Sequence, residues 1–416
     1  MGRATRGHPM AAIDAQFYWM SAKIPSDQFL LYAFAAVPAD LDGAVAEVLD
    51  RARACPELTM RVEDAGPLRY PRWVPAFDHI GAVRHRVADD SWAGCLDALV
   101  RLTDDQLDVR VAPWRLHVFA PVHGIPGHGG PATVAVLQVA HALADGARAS
   151  ALAAWLFGRA APVAAVQPPG RGFLPWRAVV AARAHRSRVR DTAAGLLPPA
   201  VGDRPPLATN NRPAGARAVR TLVRHRGELN GPTVTVAVLS AVSEALSEYL
   251  DEPCESLGAE VPMAKSGVRL AHNHFGNIPV GLCPGLDPGA RIEAIAADVA
   301  TGRLRARHPA SAAADRAFAA TPAALLHWGV EKFDPQARPV RVAGNTVVSS
   351  VYRGAADLRL GAAPVLMTAG FPALSPAMGL THGVHGIGDT VVISVHAAQS
   401  AISGIDRYLR LLDASL

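Results

Sequence analysis

Apolar residues recur along this chain in two rhythms, and the two rhythms alternate. Residues 133–139 form an alternating apolar run that predicts a buried strand, and the run leads straight into His141. After Gly146, residues 147–156 read as a helix. Upstream, the pattern predicts a short helix over 11–20, a strand over 28–37 and an amphipathic helix over 41–54 with Asp40 as N-cap. A helix over 90–103 and a strand over 114–122 follow, and a Gly/Pro loop over 123–131 turns the chain back. Downstream, strands are predicted over 219–224, 257–263, 275–283, 345–351, 364–369 and 390–397. Helices are predicted over 233–250, 291–307, 313–330 and 402–416. Helices alternating with strands mean α/β layers rather than a bundle.

The junction at 139–146 is where chemistry is expected. His141 stands at the end of a strand that fixes its backbone, and a neutral imidazole suits proton transfer near pH 7. Asp145 either orients His141 directly or pairs with an arginine and holds the turn. Gly146 is read as allowing a tight turn and leaving room for a substrate. The plainer alternative is a core histidine followed by a helix-capping aspartate.

At 416 residues the chain is long enough for two domains. It is 50% apolar and 19% charged, the composition of a globular protein with a large core. Cys55, Cys95, Cys254 and Cys283 are scattered, which argues against a disulfide framework or a metal cluster and for a reducing cytosol. Residues 1–10 are polar and basic, without a signal-peptide core, and no apolar run reaches spanning length. Position 6 is Arg6 rather than the Ser or Thr that myristoylation of Gly2 requires. The charge is uneven: thirteen arginines between Gly158 and Arg226 face only Asp191 and Asp203, a local +11 against −6 elsewhere. Three proline pairs break this stretch, and residues 176–197 within it have helical character. The chain therefore divides into an N-terminal subdomain, 1–160, a basic connection, 161–215, and a C-terminal subdomain, 216–416.

Three stretches carry a family resemblance. Pro113-Trp114-Arg115-Leu116 precedes Ala140-His141-x-x-x-Asp145-Gly146, and Val261-Pro262-Met263 precedes His274-Phe275-Gly276-Asn277. In order and spacing they resemble the bacterial wax ester synthase/diacylglycerol acyltransferase family, which carries Pro-Leu-Trp, His-His-x-x-x-Asp-Gly, a Val-Pro strand and a Gly-Asn motif. The resemblance runs from Ile13-Asp14-Ala15-Gln16-Phe17 to the C-terminal helix. It implies two chloramphenicol-acetyltransferase-like subdomains, each a mixed sheet with packed helices, with a tunnel between them. It further implies His141 as the base that takes a proton from an alcohol attacking an acyl thioester. Gly146, Asn277, Arg148 and His274 then fall at substrate-binding positions, and Asn277 or a backbone N–H after His141 would stabilise the oxyanion. Pro113, Trp114 and Arg115 would be structural, with Arg115 one candidate partner for Asp145. No cofactor is implied; acyl-CoA enters as substrate, and a hydrophobic alcohol or diacylglycerol as acceptor.

The departures are specific. The first histidine of the pair is Ala140. The family's Asn-Asp falls at Thr235-Val236, and its Ser-Asn-Val-Pro-Gly-Pro at residues 349–354 is degraded. The small residue usual two positions after the motif glycine is replaced here by Arg148. These leave open a related enzyme that takes its acyl group from a carrier protein, like a condensation domain, and a degenerate member that binds acyl chains without turnover. His272/His274 and His382/His385 lack Cys or carboxylates at ligand spacing, which argues against a metal. There is no serine-hydrolase elbow, Walker A loop or dinucleotide fingerprint. The arginine-rich connection lacks the interleaved aromatics of a nucleic-acid binder, so it is read as a solvated linker or an anionic-membrane contact. The expected location is cytoplasmic, with peripheral contact on the inner membrane face as the alternative.

Overall fold

The alternating rhythms become two sheets with helices laid on them. The computed structural model describes residues 7–78, 80–167, 170, 172–250 and 256–416. The readings that fell on Gly2, Arg6, the Pro168-Pro169 pair and Cys254 lie outside the described residues. In chain order the first half holds β1 (His8–Pro9), α1 (Ala12–Ser21), β2 (Gln28–Phe34), α2 (Leu41–Arg53), β3 (Met60–Glu63), β4 (Arg72–Pro75) and β5 (Ala82–His85). It continues with α3 (Trp92–Leu102), β6 (Trp114–Val122), β7 (Ala132–Val139) and α4 (Gly146–Leu156). The basic segment forms α5 (Leu174–Ala193), none of whose residues is buried. The second half holds β8 (Arg217–His225), α6 (Val234–Leu250), β9 (Gly258–Ala264), β10 (Phe275–Gly281), α7 (Pro288–Arg307), α8 (Pro309–Ala319) and α9 (Ala323–Lys332). It ends with β11 (Thr346–Tyr352), β12 (Arg359–Leu360), β13 (Ala363–Gly370), β14 (Leu380–Ile387), β15 (Thr390–Ala398) and α10 (Ile405–Ala414).

The first six-stranded sheet has the order β12-β13-β2-β7-β6-β5, and the second β10-β9-β11-β14-β15-β8. A small sheet, β1-β4-β3, lies beside them. Strands β12 and β13 belong in sequence to 216–416 and in space to the first sheet. Every residue of β7 is buried, because β2 and β6 flank it and both its faces are covered. On one face Leu30, Tyr32, Leu137 and Val139 pack in a core with residues of α1, α2 and α4. On the other, Phe29, Leu31, Val134 and Val136 pack with α3 and with Val219 and Val392 of the second sheet.

Two departures from the predicted elements have physical causes. The single helix expected over 313–330 is broken into α8 and α9 at Pro322, which is extended (ψ 144°) and lacks the N–H a continuous helix needs. Strand β14 is central to the second sheet, yet its glycines and histidines hid it. A Cβ at Gly383 would collide with the carbonyl of Gly370 on β13, so glycine is what lets the two sheets approach here. The histidines of this strand are buried in the core. His382 Nδ1 lies 2.9 Å from Thr346 Oγ1, and its Nε2 lies 2.8 Å from Tyr408 Oη. Among the described residues, no cluster of metal-ligating side chains is present.

These buried imidazoles make folding sensitive to acid. Burial pushes His117, His382 and His396 down to about 4, and His272 and His385 well below the usual range. Free histidine titrates near about 6.5, so below that pH the unfolded chain binds protons that these folded imidazoles refuse. Buried Asp14 and Asp27, pushed up to about 6, act in the opposite sense but are outnumbered. The urea midpoint should therefore fall steadily as pH drops from about 6.5 to 4. A midpoint that stays level or rises over this window would show that the imidazoles protonate in place without cost.

Candidate active site

Strand β7 delivers His141 to the site. The ladder with β6 ends at Trp114 opposite Val139, and the Ala140 N–H extends it by donating to the Pro113 carbonyl at 2.9 Å. Trp114 is locked below by an indole bond to the Leu58 carbonyl, 2.8 Å. His141 follows directly, in a turn closed by the Leu143 N–H on the Ala140 carbonyl. Its ring lies flat on Phe17 of α1, with centroids 4.0 Å apart and planes within 2°, and Phe275 of β10 lies 5.7 Å away. Burial lowers the imidazole pKa, so the ring is neutral near pH 7.

Asp145 does not touch His141. It is the N-cap of α4, accepting from the Arg148 N–H at 2.9 Å. Its arginine is Arg269, from the loop between β9 and β10, at 2.7 and 3.3 Å. The same carboxylate accepts the His274 N–H at 2.8 Å. Burial alone would raise the Asp145 pKa; Arg269 and the two N–H donors hold it below the usual range. Arg115 is not its partner: it pairs with Asp105 at 2.8 Å.

The partner of His141 is one the sequence reading did not single out. His141 Nδ1 lies 2.8 Å from Asn273 Oδ1. The amide nitrogen of Asn273 donates to Asp14 Oδ1 at 3.0 Å and to the His141 carbonyl at 2.7 Å. Asp14, on α1 and 1% exposed, also accepts the N–H groups of His272 and Asn273, each at 2.9 Å. Asn277, expected as an oxyanion donor, is instead exposed on β10 and donates to Glu260 at 3.1 Å. In sequence the two asparagines lie four positions apart, and it is Asn277 that stands in the recognisable Gly-Asn pair.

Two other expectations change. Arg148, expected at a substrate-binding position, is buried; it pairs with Glu57 at 3.2 Å and donates to the Ala164 carbonyl at 2.7 Å. Gly146 is the first residue of α4 and is not among the glycines with left-handed φ, so no tight turn demands it. A Cβ there would meet Val351 of β11 and Gln28 of β2 at 3.6 and 3.8 Å. His274 lies beside the site through its backbone N–H, which donates to Asp145. The two degraded motifs meet in space: Thr235 donates to Ser350 Oγ at 2.9 Å, one residue from the Val351 that borders Gly146.

The fold can be placed among solved structures. No protein-family model matches the chain, and no curated protein matches it in sequence. Over nearly its whole length it has the two-subdomain, chloramphenicol-acetyltransferase-like fold that the sequence resemblance implied. It is similar to a wax ester synthase/diacylglycerol acyltransferase from Marinobacter aquaeolei VT8, at 18% identity and TM-score 0.62, covering 98% of each chain. It is similar to the trichothecene 15-O-acetyltransferase from Fusarium sporotrichioides, at 10% identity and TM-score 0.62, covering 98% of this chain and 95% of that one. A starter condensation domain of rhizomide synthetase, solved with C8-CoA and Leu-SNAC, matches at 13% identity and TM-score 0.60, covering 99% and 94%.

The Asp145–Arg269 pair yields a test of role. Asp145→Asn leaves Arg269, whose side chain is 15% exposed, without its counter-charge. Breaking such a pair costs about 3–5 kcal/mol when buried, and this partly exposed one should lose less. Thermal denaturation should show a clearly lowered melting temperature. An unchanged melting temperature with strongly reduced turnover would instead assign Asp145 a direct part in the chemistry.

Proposed function

We propose that the chain is an O-acyltransferase that moves an acyl group from a thioester to an alcohol, with His141 as general base. The observation that carries this reading is the neutral imidazole whose Nδ1 is engaged by Asn273 Oδ1, leaving Nε2 to accept a proton. An alcohol is a weak nucleophile near pH 7, and an imidazole nitrogen within about 3 Å of its hydroxyl removes the proton as the oxygen attacks the thioester carbonyl. The tetrahedral intermediate then expels the thiolate, which takes the proton back from His141. No acyl-enzyme is required, because a thiolate is a good leaving group. With Asn277 turned away, a backbone N–H after His141 is the oxyanion donor of this proposal.

The donor of this proposal is acyl-CoA, and the acceptor a long-chain alcohol or diacylglycerol, giving a wax ester or triacylglycerol. The order of motifs around His141 and the likeness to a wax ester synthase support that choice. Each methylene of an acyl chain buried in the protein adds about 0.8 kcal/mol to binding. The likeness to condensation domains supports a second reading, in which the acyl group arrives on a carrier protein. The deciding assay supplies labelled acyl-CoA of several lengths, or acylated carrier protein, with a panel of alcohols, and reads products by mass spectrometry. Acyl-CoA bound without any product would identify a non-catalytic acyl binder.

His141→Ala should lower ester formation by about 10²–10⁴-fold while the circular dichroism melt stays intact. Turnover at the wild-type rate would remove His141 from the mechanism.

The proposal extends to the surface where a water-poor acceptor would be met. Among the described residues no helix is long and apolar enough to cross a membrane. Much of the +11 segment is paired on the protein itself, as Arg159–Asp357, Arg217–Asp104, Arg220–Asp406 and Arg224–Asp413. Helix α5 is different. Trp176, Val179, Arg183, Arg186 and Arg190 fall at helical spacing on one exposed face. Arginines at an anionic surface contribute about 1 kcal/mol each, screened by salt, and the apolar pair adds shallow contact. The protein should co-sediment with phosphatidylserine-containing vesicles at low salt, and less after Arg183, Arg186, Arg188 and Arg190 are changed to Gln. Equal sedimentation of the two proteins would exclude the membrane role.

A further inference from the structure

We propose that Asn273 and Asp14 are positioning residues that set the tautomer of His141, so that the base is complete only when the second subdomain's loop is seated on α1. This rests on the reading of His141 as the base. The argument begins with the asparagine. An amide has one oxygen that accepts and one nitrogen that donates, and which is which follows from the partners. One end of the Asn273 side chain lies 3.0 Å from the Asp14 carboxylate and 2.7 Å from the His141 carbonyl. Both of those groups are acceptors, so that end is the nitrogen. The other end, 2.8 Å from His141 Nδ1, is therefore the oxygen. An oxygen there accepts only, so Nδ1 carries the proton. A neutral imidazole has one ring proton, and Nε2 is left with its lone pair.

Asp14 holds the amide in this sense. If the amide turned over, its oxygen would face the carboxylate, and its nitrogen would face Nδ1. Nδ1 would then have to accept, the proton would move to Nε2, and the base would be blocked. Helix α1 acts on the ring twice, since Asp14 and Phe17 are three residues apart on one helical face. Asp14 sets the protonation of one nitrogen through Asn273, while Phe17 stacks on the ring and fixes its plane. Asn273 comes from the loop between β9 and β10, in the second subdomain. The first half thus supplies the ring, its stacking partner and Asp14, and the second supplies the amide between them.

The test reads the ring directly. In protein labelled with ¹⁵N-histidine, long-range ¹H–¹⁵N correlation spectra assign the His141 signals by difference with His141→Ala. Wild type should show protonated Nδ1 and bare Nε2 at pH 7; a ring protonated on Nε2 overturns the proposal without any further variant. Asn273→Ala should give a mixture of tautomers and lower kcat by about ten- to a hundredfold, short of the loss for a fully wrong tautomer, with KM within about threefold. A His141 spectrum in Asn273→Ala identical to wild type overturns the proposal. The spectra need no turnover, so failure of the acyl-transfer reading would be seen separately, as absent product with the tautomer as described.

Discussion

The site depends on how one loop of the second subdomain is gripped by two carboxylates of the first. Asp14 accepts the N–H groups of His272 and Asn273, and Asp145 accepts the next, that of His274. Three consecutive backbone donors are thus held by two buried acids that lie far apart in sequence. A carboxylate out of water is costly unless donors surround it, and charge-assisted bonds are the strongest the chain can make. Each acid therefore needs the loop as much as the loop needs the acid. Arg269 neutralises Asp145 directly, whereas Asp14 relies on its N–H donors, and burial pushes its pKa up to about 6.

This grip fixes His141 from the second subdomain, and strand exchange fixes the same junction elsewhere. Strand β13 leaves the second half, pairs with β2 of the first sheet, and approaches β14 closely enough that only glycine fits at position 383. Arg353, just past β11, donates to the Ala369 carbonyl at 3.1 Å and lies over the Tyr32 ring at 5.1 Å. The two sheets are therefore stitched through their interior, and the loop carrying Asn273 is presented to an already defined surface.

Much of this fold was legible as periodicity. The buried strand before His141, the capped helix after Asp40 and the helix over 233–250 were all carried by local pattern. What escaped was decided over long range. Strand β14 reads as a glycine- and histidine-rich loop until β11, β13 and β15 surround it. Strands β3, β4 and β5 are four residues each, too short to display a period. At the site, His141 and Asp145 stand in a recognisable spacing, and the need of Asp145 for an arginine was readable from its charge. That the arginine is Arg269 rather than Arg115 depends on which loop returns to the turn. Asn273 and Asp14 are 259 residues apart, and no local signal links them.

The choice of an amide rather than a carboxylate beside the imidazole has a chemical consequence. A carboxylate at Nδ1 would stabilise the imidazolium and raise its pKa, so that a buried ring would hold its proton longer. With Asn273 Oδ1 there, burial dominates and the pKa stays lowered. The ring is then neutral near pH 7, at some loss of basicity. Asp14, one bond further out, polarises the amide and returns part of that loss through the hydrogen-bond chain. Under the acyl-transfer reading this is a suitable compromise. The imidazolium exists only between deprotonation of the alcohol and departure of the thiolate, and a thiolate is basic enough to recover the proton from a weakly held donor. A stronger anchor at Nδ1 would assist the first step and retard the second.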